Sequence, residues 1–142
     1  KQVQQTTQEK QANTSSTSQT LFNLKLLAYE RIILFIERIK PDSFIPRTLS
    51  PSLPYQEYQL LLINEIRKEF EYNLSQQLYL SENAWEVTVN FKDNIITLIN
   101  SAATSCPPQA TASDLARKIL EHYISSDLKG DQILKIVKAE IQ

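Results

Sequence analysis

Glycine is nearly absent: Gly130 is the only one in 142 residues. Phosphate-cradling loops of the Walker or Rossmann kind need several glycines, so both are excluded. Tight β-hairpins also draw on glycine, so a sheet protein is disfavoured and an all-α fold is expected. Histidine and cysteine are as scarce, with only His122 and Cys106. A zinc site takes about four imidazole or thiolate ligands, and a ferritin-like di-iron site takes two Glu-x-x-His pairs. Neither can be assembled from this chain, and no cofactor is expected. Cys106 has no partner for an internal disulfide and implies no oxidising compartment.

Charge of one sign is lacking too. Fifteen basic and sixteen acidic residues give a net charge of -1, without the basic excess that phosphate backbones demand. Nucleic acid is therefore not an expected partner. The longest apolar run, residues 32–36, is far short of the roughly 20 residues of a membrane span. Methionine is absent even from position 1, which reads as a fragment whose start lies upstream.

What is present is helical periodicity. Residues 1–20 are rich in Gln, Thr and Ser, with little apolar beyond Val3 and Ala12. They read as a flexible polar tether to a bundle over 21–142, because such composition buries too little surface to offset ordering entropy. A first helix is predicted over 21–40, capped by Thr20 and ended by Pro41, with Leu24, Leu27, Ala28, Ile32, Phe35, Ile36 and Ile39 as its stripe. Pro41, Pro46, Pro51 and Pro54 predict a stiff non-helical connection, pinned by Phe44, Ile45 and Leu49.

A second helix is predicted over 55–79, with Leu62, Ile63, Ile66, Phe70 and Leu74 inward. Ser81 caps a third helix over 82–104, and Thr111 with Asp114 forms a capping box for a fourth over 111–125. Lys129 and Gly130 make a turn, and Asp131 caps a short fifth helix. The expected fold is a compact all-α bundle of about five helices.

Catalytic sets are thin. A nucleophile would have to use His122, which lies in a plain helix with no glycine elbow. Cys106 follows a helix C-terminus, where the dipole raises a thiol's pKa, and is read as inert. Glu65 and Glu69 share a face at i,i+4. An antiparallel first helix would set Arg31 level with Glu65 and Arg38 near Tyr58, and cross-helix salt bridges from Arg31 and Arg38 are preferred to an acid–base pair for the carboxylates. The chain is accordingly read as non-enzymatic.

The distinctive stretch is 65–86, EIRKEFEYNLSQQLYLSENAWE. Continued helix periodicity sets Asn73 and Gln77 on the buried face, where an amide must find hydrogen bonds or cost about 1–3 kcal/mol. Local bonding to the loose carbonyls of the helix end is the preferred explanation. The alternative is a small-ligand pocket walled by Asn73, Gln77, Tyr72 and Trp85.

This stretch, with LAYERIILFIERIKP at 27–41 and DLARKILE at 114–121, resembles a family of uncharacterised small proteins from Bacteroidota bacteria. The similarity runs in order over about residues 24–142. It implies a single transmembrane helix upstream, then a polar tether and a helical domain. No activity is attached to that family, so no catalytic residue carries over. The combined expectation is a protein-interaction or scaffold module, associated with the inner membrane through an anchor outside this chain and facing the cytoplasm. A protein partner within a membrane complex is expected, and the wide apolar faces also suit a homo-oligomer.

Overall fold

A computed structural model describes residues 2–127 and 129–141, with side chains from residue 15 onward. All regular structure among them is helical: α1 (Gln2–Ile39), α2 (Pro41–Thr48), α3 (Tyr55–Tyr72), a 3-10 helix (Leu74–Tyr79), α4 (Glu82–Thr104), α5 (Ala112–Ser125) and α6 (Gly130–Ala139). The all-α expectation holds, but seven helical elements replace about five. None of the described helices is long and apolar enough to cross a membrane.

α4 lies at the centre and packs against α1, α3, α5 and α6. Its buried residues Ala84, Thr88, Phe91, Ile95, Ile99 and Ala102 are spaced by three and four, one continuous stripe. The same spacing on α1 buries Ala28, Ile32, Phe35, Ile36 and Ile39, whereas Leu24 and Leu27, expected in that stripe, are exposed; α3 adds Leu62, Ile63 and Ile66. Each large apolar side chain fully buried there contributes about 1.5–3 kcal/mol. Thr88 is the one buried hydroxyl of the α4 stripe, and it donates to Ala84 O at 2.7 Å, so its burial leaves no donor unpaired.

Several boundaries were placed correctly by capping chemistry. α4 starts behind Ser81, whose Oγ accepts the Ala84 N–H at 3.0 Å. α5 opens on the expected box, with Asp114 Oδ2 accepting the Thr111 N–H at 2.9 Å. An isolated bridge between Pro54 and Thr111 ties the starts of α3 and α5 together, through Tyr55 N–H to Ala110 O and Ala112 N–H to Leu53 O.

Other expectations require correction. The first helix opens at Gln2 rather than 21, and residues 2–20 are helical. No glycine or proline interrupts positions 1–40, and extending a helix already nucleated by a packed half adds one hydrogen bond per residue fixed. Thr20 therefore caps nothing; its hydroxyl donates to Ser16 O at 2.9 Å inside the helix. The proline segment is likewise not wholly extended. Pro41 occupies the first turn of α2, where its missing N–H would be unpaired anyway, and Pro46 falls close to the helix end. Phe44 and Ile45 are buried as expected.

The predicted second helix stops at Tyr72 and tightens into the 3-10 helix, which leaves Leu74 exposed. At the other end of the chain α6 begins at Gly130, so Asp131 lies in its first turn and Lys129 takes the cap position. Ile124, near the end of α5, is exposed.

Candidate functional site

The helix break at Asn73 decides where the candidate amides go. A residue in an α-helix advances about 100°, and the switch to 3-10 geometry removes the following residues from the inner face of α3. Asn73 becomes the C-cap and is half-buried, with Nδ2 donating to Glu69 O at 2.7 Å. That is the local bonding expected of it. Gln77 is exposed. Tyr72 is 74% exposed, and Trp85 instead stacks on Phe70, ring centroids 5.4 Å apart. Asn73 and Tyr72 share a shallow depression with Arg31, Leu34, Arg38 and Glu69, while Gln77 and Trp85 do not line it. The four residues therefore do not converge on one pocket wall.

The carboxylates divide as well. Glu69 accepts from Arg38 Nη2 at 2.8 Å and from Arg38 Nε at 3.0 Å, and Arg47 lies 3.8 Å away. The hydrogen bond and charge of Glu69 raise the Arg38 pKa above its ordinary value. Glu65 adds a smaller Coulombic contribution to Arg38. Among the described residues no ion pair joins Arg31 to Glu65. Arg38 thus meets Glu69, about three turns from the level expected for two antiparallel neighbours. The reason is tertiary. α2 follows α1 in the chain and packs on α1 and α5, and α1 packs chiefly on α6, the 3-10 helix and α4, touching α3 only lightly.

A deeper concavity lies elsewhere, between α1, the 3-10 helix and the end of α6. Phe22, Leu26, Leu78 and Ile141 supply apolar lining, and Lys25 and Glu140 charged lining, to a volume of about 390 Å³. One side is fixed by a polar clasp. Tyr29 Oη donates to Glu140 Oε2 at 3.1 Å and accepts the Ser81 N–H at 3.2 Å. Asn83 Nδ2 donates to Glu140 Oε1 at 2.9 Å, and the Ser81 hydroxyl donates to Glu140 as well. The Ser81 hydroxyl first, then the Asn83 amide and Tyr29, hold the Glu140 carboxyl below its ordinary value. Its place beside the first turn of α4 also suits the helix dipole. No periodicity could have found this clasp, because it joins residues 29, 81, 83 and 140 from three separate elements.

Cys106 is buried, and desolvation pushes its thiol pKa up. His122 is exposed on α5. Among the described residues, no three His, Cys, Asp or Glu side chains gather as a metal-binding group.

The comparisons give one match. The sequence profile of DUF7935, described as a family of unknown function, covers residues 1–142. No curated protein and no solved structure matches the chain. A profile match of this extent places the chain by its whole length rather than by a motif, and it agrees with the uncharacterised standing that the stretches 27–41, 65–86 and 114–121 implied. The chain belongs to DUF7935, a family of unknown function.

Proposed function

We propose that this protein is a non-enzymatic protein-interaction or scaffold module that docks a partner in the groove between α1, the 3-10 helix and the C-terminus. The observation that carries this is the placement of exposed apolar side chains. Phe22 and Leu78 line the groove itself, Leu21 and Leu24 line an adjoining depression that shares Tyr79 with it, and all four are exposed. Scattered single hydrophobics are ordinary, but a concentration around one groove is the mark of an interaction surface. Leu78, at 81% exposure, has no internal packing role to account for it.

The resemblance to membrane-anchored Bacteroidota proteins supports the wider setting. In it the module is held at the inner membrane by an anchor outside this sequence, on the cytoplasmic side, and tethering raises its concentration near a membrane-bound partner.

The test is in-cell crosslinking of the anchored protein, comparing wild type with Phe22→Asp and Leu78→Asp. Both positions are exposed, so thermal stability should be unchanged within about 0.5 kcal/mol. Captured proteins lost from both variants would support the groove. An identical captured set from all three proteins would refute it.

A further inference from the structure

The polar groups that line the groove fall into two sets, engaged and free. Tyr29 Oη, Ser81 Oγ and the Glu140 carboxylate are engaged in the clasp, and Ser81 Oγ also accepts the Ala84 N–H. Glu140 takes three donors beside the first turn of α4, so its charge is offset from within the protein. Lys25 and Tyr79 line the same groove, and neither makes a hydrogen bond or ion pair among the described residues. The isolation of Lys25 follows from its helix. Its neighbours three and four residues away are Leu21, Phe22, Ala28 and Tyr29, none of them acidic. The 3-10 helix across the groove, LSQQLY, carries no charge. The adjoining depression that shares Tyr79 is lined by Leu21, Leu24 and neutral hydroxyl residues. One cation and one phenol are thus set in apolar surface with their polar atoms open to a ligand.

Resting on the reading that a partner docks here, we propose that the docked segment is an acidic amphipathic helix. Its apolar side chains fill the two depressions that share Tyr79, and an Asp or Glu one turn away lies against Lys25 Nζ and Tyr79 Oη. The charge chooses the occupant. A basic segment would set a like charge against Lys25. A wholly apolar segment would strip water from the exposed ammonium and offer no replacement for it. A carboxylate accepts from both free donors in charge-assisted bonds. The described residues form no strand whose edge an extended peptide could join, so recognition falls to side chains spaced by a helical turn.

The test is selection from a random peptide library on the full chain, with the Phe22→Asp protein as counter-target. Peptides that bind wild type and not Phe22→Asp should carry Asp or Glu within about four residues of Leu, Ile or Phe. For the tightest of them, fluorescence polarisation should show Lys25→Glu weakening binding about tenfold and Tyr79→Phe about threefold. Changing the peptide's acid to Lys should restore binding to Lys25→Glu, which a folding defect could not do. Changing the acid to its amide should weaken binding several-fold on wild type and hardly at all on Lys25→Met. Groove-dependent peptides that lack an acid, or an amide penalty equal on wild type and Lys25→Met, would overturn the inference and leave the docking surface standing. If no selected peptide distinguishes wild type from Phe22→Asp, the docking reading itself fails, and the inference with it.

Discussion

Replacing the only glycine tests how the C-terminal helix is seated. Gly130 has no positive φ, so its backbone conformation does not call for glycine. The close approach of Lys40 does. A Cβ at position 130 would stand 2.4 Å from both Cγ and Cδ of Lys40 and 3.1 Å from Tyr123 Oη. Lys40 cannot simply swing aside. It is buried, and its Nζ is held by Asp131 at 3.0 Å and Glu37 at 3.4 Å. The Gly130 N–H also donates to Tyr123 Oη at 2.7 Å, and that bond stretches if α6 lifts.

Overpacking of this kind costs about 1–3 kcal/mol. Alanine returns up to about 1 kcal/mol of helix propensity, and less at the first helical position. Gly130→Ala should therefore destabilise by about 1–2 kcal/mol net and lower Tm by roughly 3–8 °C. Thermal and urea unfolding followed by circular dichroism measure it. Lys40→Ala removes the clashing carbons, so in that background the penalty for Gly130→Ala should shrink by about 1 kcal/mol or more. A Gly130→Ala protein as stable as wild type, or an equal penalty in both backgrounds, would refute the packing explanation.

Three further outcomes follow from named contacts. A carboxyl whose folded pKa is depressed stabilises the fold above its unfolded pKa, and that stability is lost as pH falls through the folded value. Glu140 is depressed by Ser81, Asn83 and Tyr29, and Asp114 by Thr111. Wild type should therefore exceed Glu140→Gln in stability at pH 7, and the two should converge as the pH drops below about 4 in urea titrations. A double-mutant cycle on Arg38 and Glu69 should give roughly 0.5–1 kcal/mol of coupling, discounted for the exposure of Arg38, while Arg31→Ala should leave stability within about 0.5 kcal/mol. Phe70 packs between Trp85 and Phe35 and lies under Lys92 Nζ at 4.3 Å. Phe70→Ala should cost about 3 kcal/mol and shift the emission of the single tryptophan to the red, measured by fluorescence-detected unfolding.

The sequence by itself determined the helical class, the core stripes and the starts of α4 and α5. These are local properties. Stripes follow from a fixed period, and caps from side chains within three residues of an unpaired N–H. Lone Gly130 sufficed to exclude a phosphate loop. The break at Tyr72 is harder to read, because Asn73 through Tyr79 contain neither glycine nor proline and keep a helix-compatible pattern. Only packing decided that the chain tightens there, which moved Gln77 to the surface and separated it from Asn73 and Trp85. Only packing paired Arg38 with Glu69, because the level at which two helices meet depends on the elements inserted between them. The groove and its Glu140 clasp were beyond sequence altogether. They bring together residues 29, 81, 83 and 140, a long-range convergence with no local period to announce it.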